Sequence, residues 1–311
     1  MSDVYWIDTK RMSFDNSISQ KLRHLLAAID ATQDLTEGSQ VTLKVNTAEE
    51  GYEYGLRPVF IRVPAQAVHE KTKSHVTVCD GLKLIDYWKQ NLGNNFMRIA
   101  SRQGYTNETL GGHFAVNGGF SGDEGDLFSC RSSDSDLGGV EVGTAICRSD
   151  GMWVLSHVTL HPLFGISGAL LNSGFECLTG RSRSRVLNDI SPYTFNGTRP
   201  DPEKLAVFRR HALECCLSVK NAVEGRMFFI NYLWDITPQP EYFPYSEAPI
   251  ARNMGFLASR DPVAIDAVAY NLIFQDDEGQ ESLRASEYNR VLETAERMGI
   301  GSTQPTLKHI S

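Results

Sequence analysis

The sequence predicts an α/β protein: a mixed or mostly parallel sheet with helices on both faces, plus a less regular lobe or lid. Three observations carry that expectation. Strand-like apolar runs alternate along the chain with segments whose apolar residues recur at helical spacing, the order that builds a sheet covered by helices. Turn and cap signals separate these segments, among them Ser149-Asp150-Gly151, Asp201-Pro202 and Asp261-Pro262. The 311 residues are 41% apolar and 22% charged, ordinary globular usage that allows a sizeable core. The chain is read as a single unit over residues 1–311.

Element by element, SISQKLRHLLAAIDA places Ile18, Leu22, Leu25, Leu26 and Ile29 at helical spacing, and QVTLKVN then alternates as a strand ending at Asn46. In EYGLRPVFIRVPAQAVHEKT, Pro58 marks a break and the following helix is expected to be interrupted near Pro64. SHVTVCDG reads as a second strand with an Asp-Gly turn, and GLKLIDYWKQNL as a helix. Residues 91–137, rich in Gly, Ser and Asp, form the irregular lobe of this reading. GGVEVGTAICRSDGMWVLSH gives two strands. GRSRSRVLNDISPYTFNGTRP, residues 180–200, is a long loop with a basic start. DPEKLAVFRRHALECCLSVKNAVEG is a long helix capped by Asp201, RMFFINYLWDI a buried strand, MGFLASRDPVAIDAVAYNLIF a strand, turn and helix, and RASEYNRVLETAERMG a terminal helix with Gly299 past its end.

The 30 basic and 38 acidic side chains leave a net charge of −8, which argues against nucleic acid as the main partner. No apolar stretch is long enough to span a membrane, and MSDVYWIDTKRM lacks the apolar core of a signal peptide. The six cysteines contain no C-x-x-C pair, so they are read as reduced structural thiols in a cytoplasmic protein.

The stretch richest in chemistry is VLSHVTLHPLFGISGALLNSG. An apolar strand delivers His157, and His161 follows four residues later, where open α/β sheets bind ligands beyond the carboxyl ends of their strands. Neutral imidazole can accept a proton or bind a metal. Pro162 argues against a regular helix through His161 and for a turn. Gly165, Gly168 and Gly174 could open a helix start whose N–H groups favour an anion, or could serve close packing. Arg181, Arg183 and Arg185 follow and suit a carboxylate or phosphate.

Four stretches resemble the domain-of-unknown-function-362 family: VTLKVNTAEEGYEYGLRPVFIR, VLSHVTLHPLFGISGALLNSGFEC, INYLWDITPQPEYFPYSEAPI and MGFLASRDPVAIDAVA. The resemblance spans about Val41 to Tyr270. Many members are described as iron–sulfur proteins with an inserted ferredoxin-like cysteine cluster. This chain has no C-x-x-C run between Gly180 and Lys220, so a ferredoxin-type cluster is not expected. The resemblance also implies a Cys-Asp-Cys element where Pro240-Glu241-Tyr242 stands, and a lysine where Leu171 stands; Cys177 keeps its place.

The expected function is therefore an enzyme acting on a small anionic metabolite by His-based proton transfer, of isomerase or lyase type, with specialised biosynthesis as the expected setting. His157, His161 and Asp266 are the catalytic candidates; Lys44, Arg57, Asn172, Arg181 and His113 are the substrate-binding candidates. Asp261 is a cap before it is a catalyst. An alternative uses His157, His161 and Cys177 as ligands of a metal ion or iron–sulfur centre. A second alternative is a non-catalytic ligand-binding protein. The oligomeric state, homodimer included, stays open.

Overall fold

The structure is a computed structural model that describes residues 2–10, 12–84, 91–130, 137–187, 190, 200–274 and 283–310. Its strands are β1 (Ser2–Ile7), β2 (Val41–Lys44), β3 (Thr77–Gly81), β4 (His113–Asn117), β5 (Gly125–Ser129), β6 (Gly139–Gly143), β7 (Gly151–His157), β8 (Thr159–His161), β9 (Gly165–Ser167), β10 (Met227–Leu233), β11 (Gly255–Ser259) and β12 (Pro305–Ile310). Its α-helices are α1 (Ile18–Ala28), α2 (Pro58–Thr72), α3 (Gly93–Arg102), α4 (Asn107–Leu110), α5 (Thr144–Cys147), α6 (Ala169–Ser173), α7 (Gly180–Leu187), α8 (Pro202–Ala222), α9 (Pro262–Phe274) and α10 (Leu283–Arg297). Eight strands form one sheet in the order β12-β1-β11-β10-β7-β2-β3-β4. Within this sheet, among the described residues, only β11 runs against its neighbours; the other pairings are parallel in sense.

Alternation along the central strands splits the core into two layers. On one face Met152 and Val154 of β7 and Phe229 and Leu233 of β10 pack with α6, α8, α9 and α10. On the other, Trp153, Leu155, Phe228, Ile230 and Tyr232 pack with α1, α2 and α3. Strands buried on both faces have to read as continuous apolar runs, which is why MWVLSH and MFFINYL look as they do.

Several expectations change. Helix α2 runs through Pro64 without a break. A proline there removes the donor that would satisfy the Phe60 carbonyl four residues earlier, and the buried Tyr232 hydroxyl donates to that carbonyl at 2.8 Å instead. Within the segment 91–137, residues 93–129 supply α3, α4, β4 and β5, and β4 is an edge of the main sheet. The basic start of the 180–200 segment is helix α7, while 188–189 and 191–199 lie outside the described residues. So do residues 85–90, half of the helix expected over GLKLIDYWKQNL. Asp261 is a cap, its Oδ1 accepting from Val263 and Ala264 N–H at 2.9 Å each. Among the described residues no helix is long and apolar enough to cross a membrane.

The glycine-spaced segment serves packing. Gly165 takes φ +111°, a left-handed value that favours glycine. A side chain at Gly168 would run into the Asp266 carboxylate, and one at Gly174 into Cys216. The anion at the start of α6 belongs to the protein itself: Asp266 accepts from Ala169 N–H at 2.7 Å and Leu170 N–H at 3.0 Å. Gly168→Ala is expected to cost about 1–3 kcal/mol by overpacking this contact; urea unfolding measures it, and an unchanged midpoint would contradict the packing account.

Candidate active site

Strands β2, β3 and β7 end side by side, and the segments that follow them meet the segment after β10. A small cavity of about 30 Å³ lies there. Its polar wall is Asn46, Lys83, His161, Glu176, Arg183, Glu241 and Tyr242; its apolar wall includes Leu84, Leu163, Phe175 and Phe208.

Beneath it sits a buried ion pair. Lys44 is fully buried, and its Nζ donates to Val45 O at 2.7 Å, Asn46 Oδ1 at 2.9 Å and Asp80 Oδ1 at 3.0 Å. Asp80 Oδ2 accepts from the Thr47 N–H and hydroxyl, each at 2.8 Å, and faces Lys83 at 3.3 Å. Burial works against the Asp80 charge, but Lys44 and Lys83 outweigh it and hold the carboxyl well below its usual range. Burial likewise opposes the Lys44 charge, and Asp80 overrides it, raising the ammonium pKa.

The segment after β10 is fixed by its own bonds. Thr237 O accepts from Leu160 N–H at 2.9 Å, Glu241 O accepts from Glu49 N–H at 2.8 Å, and the Tyr52 hydroxyl meets the Thr237 hydroxyl at 2.6 Å. This brings Glu241 and Tyr242 onto the two histidines. His157 Nδ1 lies 2.7 Å from Glu241 Oε1, and its Nε2 lies 2.7 Å from Trp234 O and 3.2 Å from Asp235 O. All three partners accept, so both ring nitrogens donate and the imidazolium fits the site. Burial opposes that charge, yet Glu241 and the carbonyls raise the His157 pKa. His161 is the reverse. Its Nδ1 accepts from Leu163 and Phe164 N–H at 3.2 and 3.0 Å, leaving the proton on Nε2, 3.2 Å from the Tyr242 hydroxyl. Burial, then Arg209, push its pKa down to about 3.

These opposite states are testable. In ¹⁵N-detected spectra His157 is expected to show two protonated nitrogens at pH 6, and His161 one bare Nδ1 with no titration between pH 5 and 8. A ring at position 161 titrating near its ordinary value of 6.5 would contradict the assignment. The stability signs follow. His161, depressed, adds stability above about 6.5 that is lost as pH falls toward 3; His157, raised, adds stability at low pH that is lost as pH rises through its folded value.

The other candidates from the sequence fall elsewhere. Asp266 is buried and holds four donors, the two α6 amides with Asn231 Nδ2 at 2.7 Å and the Tyr288 hydroxyl at 3.0 Å, so it organises packing; burial raises its pKa against those bonds. Lys44 spends all its donors inside the protein, and Lys83 lines the cavity instead. Arg57, half exposed, pairs with Asp235 at 2.8 Å and stacks over Trp234. Arg181 is exposed and paired with Asp123 at 3.2 Å, whereas Arg183, two residues on, is buried in the cavity wall. His113 is the first residue of β4, at the amino ends of the parallel strands and so at the opposite end of the sheet from the cavity. Asn172 is buried in α6, away from the cavity lining.

The three proposed metal ligands are not brought together. Among the described residues no group of three or more His, Cys, Asp or Glu side chains could hold a metal ion. Cys177 donates to Asn172 O at 3.1 Å, and burial pushes its thiol pKa up. With Pro240 and Tyr242 where the family resemblance implies cysteines, these residues do not fit an iron–sulfur cluster.

Fold and site together define an α/β protein with a charged cavity at the carboxyl ends of parallel strands. The chain belongs to the family described as "Domain of unknown function (DUF362)", whose model matches residues 41–271. It is similar to a Thermotoga maritima protein structure from a structural genomics programme, with 11% identity and a TM-score of 0.43 over 92% of this chain and 61% of that one. It is also similar to the lactate racemase apoprotein from Thermoanaerobacterium thermosaccharolyticum, with 16% identity and a TM-score of 0.37 over 64% of this chain and 44% of that one. The chain thus spans less than two thirds of the length of either. No curated protein matches it.

Proposed function

We propose that the protein is an enzyme that binds a small anionic metabolite in this cavity and moves a proton on it, in an isomerisation or elimination. The observation that supports this reading is Glu241. It lines the cavity, one carboxylate oxygen is held on His157, and the other, Oε2, is buried without a hydrogen-bond partner among the described residues. A carboxylate oriented by one oxygen and unmatched at the other is a general base in waiting.

Lys83 and Arg183 attract the substrate's carboxylate. Glu241 Oε2 takes a proton from the adjacent carbon. Negative charge then builds on the substrate oxygens, where the two cations and the His161 Nε2–H can meet it; a neutral imidazole serves as donor because its other nitrogen is occupied by backbone N–H groups. Returning the proton to carbon completes an isomerisation; expelling a leaving group completes an elimination. The histidines serve the chemistry as anchor and donor, and Glu241 carries the proton.

Solvent exchange tests the reading. In D₂O the folded protein is expected to replace the hydrogen beside the carboxyl group in at least one of a panel of small carboxylates, seen as loss of its ¹H signal. A panel with no exchange would contradict it.

A further inference from the structure

We infer that the cavity is shaped for a short-chain 2-hydroxy carboxylate, a refinement that rests on the proposed ligand site. The first support is a pair of unmatched buried atoms of opposite kind on residues lining one cavity. Among the described residues Arg183 Nε is a donor without an acceptor, and Glu241 Oε2 an acceptor without a donor. Their residues are 4% and 1% exposed, so solvent does little to satisfy them. A plain carboxylate answers only the arginine. A carboxylate with a hydroxyl on the next carbon answers both, the hydroxyl donating to Glu241.

Charge supplies the second argument. Lys44, Lys83, Arg183 and the His157 imidazolium face Asp80, Glu176 and Glu241 in this cluster. Arg209, which acts on His161, is already paired with Glu287 at 2.7 Å. Among the described residues these ion pairs set four cations against three carboxylates, and buried charge calls for a counter-charge. A hydroxy acid anion brings that charge, whereas a zwitterionic amino acid brings none. Size is the third argument. A cavity of about 30 Å³, closed on its apolar side by Leu84, Leu163, Phe175 and Phe208, leaves room for little hydrocarbon, and even a small acid must displace part of the wall.

Calorimetric titration of the whole chain with glycolate, acetate and glycine at pH 7 and constant ionic strength tests this without any substitution. Glycolate is expected to bind about tenfold or more tightly than either of the others, the discrimination a charge-assisted hydrogen bond provides. Acetate binding as well as glycolate would overturn the hydroxyl's role, glycine binding more tightly would overturn the choice of a hydroxy acid, and no binding of any of the three would overturn the inference as a whole. The proton-transfer reading fails on different data: it falls if carboxylates of the wider panel, bound or not, never exchange hydrogen with solvent.

Discussion

Asp80→Ala is expected to lower the unfolding free energy by about 3–5 kcal/mol, the range for removing one partner of a buried ion pair. The size follows from what stays behind. Lys44 is fully buried and would keep only two uncharged acceptors, Val45 O and Asn46 Oδ1. The Thr47 and Gly81 N–H groups would each lose the acceptor they have at 2.8 Å. Lys44→Met should cost less, because it removes the buried charge together with its need for a partner and leaves Asp80 facing Lys83 at 3.3 Å. Urea unfolding followed by circular dichroism separates the two, and equal losses would argue against the electrostatic account. The pH dependence has a definite sign. Asp80, depressed, contributes stability that is complete above the ordinary carboxylate range and is lost as pH falls through it toward the folded value. Lys44, raised, contributes stability that is complete below 10.5 and is lost as pH climbs toward its folded value.

Glu241→Gln is expected to slow proton transfer by about 10²–10⁴-fold, the usual contribution of a positioned general base. The amide keeps the shape and offers an oxygen to His157, but it cannot accept the substrate's proton. The fold should hold, because the segment is also tied by backbone bonds from Leu160 and Glu49. His157 loses the charge that favours its imidazolium, so its pKa should fall in the variant. That shift, read in the ¹⁵N spectrum, confirms that the side chain has been altered in place.

The fold class was legible because the central strands are buried on both faces and the helices are amphipathic. The outer strands were not. β12, with half-exposed or exposed residues throughout, carries no alternation strong enough to reveal it, and β1 joins it at the same edge of the sheet. The position of the candidate site was legible too, since His157 ends a buried strand at the side of the sheet where open α/β folds bind ligands. Their roles were not, because each is set by partners far away in sequence: Glu241, 84 residues from His157, and Tyr242, 81 from His161. The one available signal was the stretch Pro240-Glu241-Tyr242, which reads in sequence as a loss of cysteines and in three dimensions supplies the partners of both rings. Lys44 and Arg181 show a similar limit. The right residue type is visible, but only burial reveals that the cavity takes Lys83 and Arg183 instead. Asp80 hides in an Asp-Gly pair that looks like a turn and is the counter-ion of Lys44.

The central claim is that the unmatched oxygen of Glu241 receives the substrate's proton. The measurement that reaches it most directly is the rate of hydrogen exchange into a bound carboxylate in D₂O, compared between the wild-type chain and folded Glu241→Gln. A drop of about 10²–10⁴-fold at an unchanged unfolding midpoint is the expected result; exchange at the wild-type rate in the folded variant would contradict it.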